Sequence, residues 1–273
     1  MMKKLWTAVC LLALSVSLFG CGTTNTAAPA GTGKANAASD MAYVQDKGEM
    51  VIGYTVYEPM NYTDESGKLV GFDTEFAEAV CEKLGVTPKF VEIDWDNKFL
   101  ELESKSIDCI WNGMTITDEV KKNTNVTEPY VKNAQVVVMK KENAEKYTDA
   151  ASMKELKFAA EAGSAGEAAI AEEGLNSSCV AVAAQSDALL EVMSGSVDAC
   201  VIDNTMANAM TGEGTSYAGL TAVTELTSEE YGIGFRKDSD LTNKVNEIMA
   251  ELKKDGTLEK LAQTYKLTLA DAQ

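Results

Sequence analysis

Short apolar runs alternate along this chain with stretches in which apolar residues return every third or fourth position, the rhythms of strands and helices in turn. Met50-Val51-Ile52-Gly53-Tyr54 reads as a strand, Phe72 to Leu84 as a helix, Lys89 to Ile93 as a strand and Gln135 to Met139 as a strong strand. The second half repeats the theme with a strand at Lys157 to Ala160, a helix from Ala165 to Glu173 and a strand at Cys179 to Ala183. Near the end, Leu241, Val245, Ile248, Met249 and Leu252 form one helical stripe. Asp255-Gly256 stops that helix, and Leu258, Leu261 and Tyr265 begin another. The alternation predicts an α/β fold.

An internal echo organises the pattern. Phe99-Leu100-Glu101-Leu102 followed by Ser106-Ile107-Asp108-Cys109-Ile110 is matched ninety residues later by Leu189-Leu190-Glu191-Val192 followed by Ser196-Val197-Asp198-Ala199-Cys200. Each copy is a helix that delivers the chain into a short apolar strand, and polar residues follow at once: Asn112-Gly113 in the first copy, Asp203-Asn204 in the second. Ligands of open α/β sheets sit beyond the carboxyl ends of strands, so these positions are candidate site residues. A chance match of two helix-strand units is the plainer alternative.

The amino terminus changes the setting. Lys3 and Lys4 precede an apolar run from Leu5 to Phe19, which ends in Leu18-Phe19-Gly20-Cys21. Charged, hydrophobic and cleavage regions in that order spell a secretory leader over residues 1–20. The ending resembles a bacterial lipoprotein cleavage site, so Cys21 is the expected lipidation position. The run of about fifteen residues is short of the roughly twenty that span a membrane. Residues 21–40 hold no aromatic and no large aliphatic side chain and read as a flexible tether, leaving 41–273 as the globular body.

Composition mainly excludes. Losing Lys3 and Lys4 with the leader takes the net charge from −18 to −20, which argues against nucleic acid as a partner. With no histidine in the chain, neither a Ser-His-Asp nor a Cys-His site can be built, and no imidazole metal site either. No cofactor, metal or catalytic constellation is expected. Cys81, Cys109, Cys179 and Cys200 show no CxxC spacing and read as buried thiols, with one disulfide in each half as the alternative.

Seven segments in order now carry a resemblance: Val70-Gly71-Phe72-Asp73, Trp95-Asp96, Ser106-Ile107-Asp108, Gly113-Met114-Thr115-Ile116-Thr117, Glu128-Pro129-Tyr130, Asp198-Ala199 with Asp203, and Tyr231-Gly232-Ile233-Gly234-Phe235-Arg236-Lys237. Together they resemble the solute-binding proteins of polar amino acid ABC transporters, across residues 43–267. The resemblance implies a two-lobed periplasmic-binding-protein-like fold of type II, with the second lobe inserted into the first. Lobe 1 would take 41–137 and 229–273 and lobe 2 would take 138–228, with crossovers near Val138 to Lys146 and Thr224 to Tyr231. The ligand cleft would lie between the lobes. Tyr57 and Trp95 would be its aromatic walls, although either is also a reasonable core residue. Asn112, Gly113 and Thr115 would bond the ligand from lobe 1, Asp203 would pair with its ammonium, and amides of the Ser164-Ala165-Gly166 loop would face it. Ser164 and Glu167 also spell a capping box.

One departure stands out. Where the family typically carries an arginine, three residues beyond the last threonine of Thr-Ile-Thr, this chain has Val120. Arg236 is its only arginine and lies far from the pocket motifs, while Lys121 is turned about 100° away on a helix. Glu161 falls at a pocket-facing position where an uncharged residue is common in the family. The resemblance therefore implies a monomeric, lipid-anchored solute-binding protein at the outer face of the cytoplasmic membrane. It would capture an amino acid, with a tilt towards a cationic one, and deliver it to an ABC permease. The alternatives are an amine without a carboxylate, a ligand-sensing subunit, or an enzyme of the dehydratase type on the same scaffold.

Overall fold

The computed structural model describes residues 39–175 and 179–271, which belong to one compact unit running from Ala37 to Gln273. The leader, Cys21 and nearly all of the tether lie outside the described residues. Two five-stranded sheets form the framework. In the first, Glu49–Tyr54 lies between parallel neighbours Thr87–Glu92 and Cys109–Ile110, and Gly234–Phe235 follows antiparallel, paired in turn with Asn125–Val126. In the second, Phe158–Glu161 lies between parallel neighbours Val180–Val182 and Ala199–Asp203, and Gln135–Lys140 follows antiparallel, paired in turn with Leu220–Glu225.

The two sheets share one winding. In each, the first parallel strand sits in the middle, a helix leads to the edge strand, and a second helix leads back to the strand on the other side. Phe72–Leu84 is the first such helix, where the apolar period placed it, and it buries Phe72, Phe76, Ala77, Val80, Cys81 and Leu84. The echo is the second helix-strand unit of each lobe: Lys98–Glu103 into Cys109–Ile110, and Gln185–Ser194 into Ala199–Asp203. Equivalent residues bond equivalently. Asp108 Oδ2 accepts Val51 N at 2.8 Å, and Asp198 Oδ2 accepts Lys157 N at 2.8 Å, each carboxylate tying its strand to the neighbouring one. The match is not a chance one.

The lobes meet through Val131–Asn133, which pairs antiparallel with Glu229–Tyr231. The first crossover expected near Val138 to Lys146, and the boundary at 137/138, need correction, because all of Gln135–Lys140 is hydrogen-bonded into the second sheet. Lys132 and Asn133 give the true junction no apolar signal, so the strong run behind it drew the boundary too far along. Helices Leu241–Lys254 and Thr257–Tyr265 return to the first lobe, where Val245, Ile248, Leu252 and Leu258 join the same core as Phe72 and Phe76. Cys81, Cys109 and Cys200 are buried and Cys179 half-buried, all as free thiols. Arg236 is spent on the framework: its guanidinium reaches Asp40 at 3.0 Å, Asp108 at 3.3 Å and Ile107 O at 2.8 Å.

Candidate functional site

The middle strand and the third parallel strand of each sheet end on the same side, where doubly wound sheets place ligands. Between these ends lies a cavity of about 310 Å³. Asn112 and Gly113 enter it from the first lobe, Glu161, Ser164 and Asp203 from the second, and Trp95 with Thr115 completes the wall. Seven of the eight expected positions therefore line one cavity. Tyr57 does not. It is 1% exposed, and its hydroxyl meets Tyr231 Oη at 2.5 Å and the Thr205 hydroxyl of the other lobe, so it is an interior contact between lobes and not an exposed wall. Trp95 is both wall and core: at 7% exposed, it packs with Val51, Leu102, Ile110, Met114 and Val120.

Several of these groups are already committed. Asn112 Oδ1 accepts from Thr55 N and Oγ1 at 3.0 and 2.9 Å, while its Nδ2 donates to Thr55 O and Asn61 Oδ1 at 2.9 and 2.7 Å. Such an amide shapes the site but has no donor left over. Gly113 N donates to Asp73 Oδ2 at 2.6 Å, which also accepts from Tyr130 Oη at 2.9 Å. Gly113 has φ +55°, and a Cβ there would lie 2.7 Å from the Tyr57 ring. Thr115 Oγ1 donates to Glu229 Oε1 at 2.8 Å. Ser164 caps the helix as expected, with Glu167 N donating to Ser164 Oγ at 3.1 Å, while the Glu167 carboxylate accepts from Gly163 N, one residue before the cap, at 2.8 Å. Helix Ala165–Glu172 therefore starts at the cavity, and the Ala165 amide has no partner among the described residues.

Asp203 is surrounded by neutral donors. Its Oδ1 accepts from Tyr231 Oη at 2.6 Å, Gln135 Nε2 at 3.1 Å and Asn133 Nδ2, and its Oδ2 from Gln185 Nε2. Burial and the Glu229 charge push its pKa up to about 8 in spite of those bonds. Glu161 is 2% exposed, and its Oε1 has no hydrogen-bond partner. Burial drives its pKa to about 8; the nearby Asp203 and Asp187 charges add to this, and Thr55 and Lys98 oppose it.

Lys98 escaped the sequence reading. It is 5% exposed, is the one cation lining the cavity among the described residues, and sits on the first turn of Lys98–Glu103. Its ammonium donates to Trp95 O at 3.1 Å and, across the cleft, to Gly163 O at 2.8 Å, and lies 5.2 Å from the Trp95 ring centre. It makes no ion pair among the described residues, and burial lowers its pKa. The signal was present in the spacing: three residues after Trp95, once Asp94 caps the turn, a side chain returns to the same face. Val120 lies in the apolar cluster with Trp95 at the cavity wall.

Residues 50–268 match the model of the bacterial extracellular solute-binding proteins, family 3. The chain belongs to this family. As a family 3 solute-binding protein it is similar to the L-cystine-binding protein TcyJ of Escherichia coli, with 29% identity over 81% of this chain and 84% of that one. It is also similar to the arginine-binding extracellular protein ArtP of Bacillus subtilis, with 28% identity over 97% of this chain and 98% of that one. Among solved structures, an ancestral amino acid-binding protein, AncCDT-1, a precursor of cyclohexadienyl dehydratase, superposes with a TM-score of 0.76 and 31% identity, covering 83% of this chain and 99% of that one. No helix among the described residues is long and apolar enough to cross a membrane.

Proposed function

We propose that this family 3 protein captures an amino acid in the cavity between its lobes, one with a cationic side chain, and presents it to an ABC permease from a lipid anchor at Cys21. The observation that carries the reading is the charge pattern of the cavity. It holds a buried carboxyl oxygen without a partner on Glu161 and a desolvated ammonium without a counter-ion on Lys98, which complement the two ends of a zwitterion. Asp203 supplies a second buried acid, and Asp118, Glu119 and Glu172 add three more along the exposed rim. That excess of acid favours an additional positive charge on the ligand. The names of ArtP and TcyJ support amino acids as the class.

The same excess of acid favours, as a second reading, an amine without a carboxylate. Binding without chemistry is the expected activity, a reading supported by relatives that are named as binding proteins. A thermal-shift screen against amino acids, polyamines and decarboxylated analogues tests the function. Saturation at a hundred times the dissociation constant adds about 2.7 kcal/mol of stability, a rise of several degrees. Stabilisation by arginine or lysine is expected, and stabilisation by no amino acid would remove the reading.

A further inference from the structure

Lys98 is set up unlike any other lysine of the described residues. Its ammonium is taken out of water, yet it bonds only neutral carbonyl oxygens, one from its own turn and one from the opposite lobe. An ammonium has three donors, so one remains beyond these two bonds, on a side chain that lines the cavity. A desolvated cation without a counter-ion is costly. Carboxylates are abundant in this cavity, but among the described residues none is drawn within ion-pair distance. The Asp94 carboxylate is bound up in the turn that presents Lys98, and Glu119, Glu161 and Asp96 lie near enough to feel its charge without pairing with it. The carbonyl it does reach, Gly163 O, lies two residues before the first residue of Ala165–Glu172, whose leading amide is free. An anion placed between the two would be held from the first lobe by a charge and from the second by a helix start.

We propose that Lys98 is the specificity-determining anchor for the carboxylate of the ligand, doing with a point charge what Val120 cannot do, and that its bond to Gly163 O draws the second lobe over that carboxylate. The inference rests on the amino acid reading above. It assigns Lys98 a role distinct from that of a tie between lobes, because a tie alone would not distinguish a ligand that has a carboxylate from one that lacks it.

The test is calorimetric titration of the purified protein and of Lys98→Met with three matched pairs: arginine and agmatine, lysine and cadaverine, histidine and histamine. Replacing the ammonium with a thioether of similar length should weaken the best-bound amino acid about a hundredfold and its decarboxylated partner by less than about threefold. Lys98→Arg should recover most of the preference for the carboxylate. Equal losses for both members of a pair would reduce Lys98 to a tie between lobes and overturn the anchor; unchanged amino acid affinity in Lys98→Met would overturn it as well. If wild type binds an amine but no amino acid, the functional reading fails first and the anchor falls with it. Should Lys98→Met not fold, Lys98→Gln carries the same comparison. For wild type alone, an amino acid bound no more tightly than its uncharged α-amide counts against the anchor.

Discussion

Glu161 shows how a single buried acid links stability, pH and ligand. Its folded pKa of about 8 lies above the ordinary 4.5, so between those values the folded protein binds protons that the unfolded chain has released. The stability it contributes is complete below about 4.5 and is lost as pH rises towards about 8. Asp203, also raised to about 8, acts with the same sign. Melting of the ligand-free protein should therefore fall in temperature from pH 5 to pH 8.5, and Glu161→Gln should flatten that fall and raise Tm at pH 8. A cation on the ligand reverses the preference, because it favours the ionised carboxylate. Affinity for arginine or lysine should climb with pH up to about 8, by at most about tenfold per unit per proton released. Calorimetry in buffers of different ionisation enthalpy reads that proton directly, and a pH-independent affinity would contradict it. Trp95 makes a separate case. As a cleft wall alone it would cost affinity and little stability, but its packing against Leu102, Ile110 and Val120 makes it part of the core. Trp95→Ala should cost about 3 kcal/mol in denaturant unfolding and also unseat Lys98.

At the scale of elements, the turn at Gly163 is a close contact between the lobes. Its φ is +67°, and a Cβ on it would lie 2.7 Å from Asp96 Oδ1 and 2.9 Å from Asp96 Cα in the other lobe. Gly163→Ala should therefore hinder closure on the ligand more than it unfolds either lobe. Small-angle scattering with saturating ligand should find the variant more open than wild type, and titration should find binding about tenfold weaker or worse; equal scattering would exclude the contact as a determinant of closure. Much of this level was legible beforehand. The helix Phe72–Leu84 and the echo of Ser106-Ile107-Asp108 in Ser196-Val197-Asp198 follow from spacing, because a repeated winding requires repeated patterning. The junction at Val131–Asn133 was not legible, since three residues with Lys132 and Asn133 among them carry no period. Partners across the chain were also hidden. Nothing local in Asn112 says that its amide is consumed by Thr55 and Asn61, or in Gly113 that its N–H belongs to Asp73.

For the molecule as a whole, seven ordered segments were enough to resemble a family, and the family model spans residues 50–268. They did not reveal how the cavity balances its charges, because Lys98 stands outside all seven. The proposal is a two-lobed binder whose strand ends bring one cation and a surplus of acids around a zwitterion, with closure resting on Lys98 and Gly163 across the cleft. If Cys21 carries the anchor, Cys21→Ser should move the protein from the membrane fraction to the soluble one without changing ligand affinity, and identical fractionation of the two would end that part of the account. The charge balance of the cavity is read outright from a crystal structure of the protein with its tightest-binding amino acid. The carboxylate should lie between Lys98 Nζ and the Ala165 amide, with a positive group of the ligand on Glu161. A ligand bound with its carboxylate turned away from Lys98, or seated outside the cavity between the lobes, would contradict it.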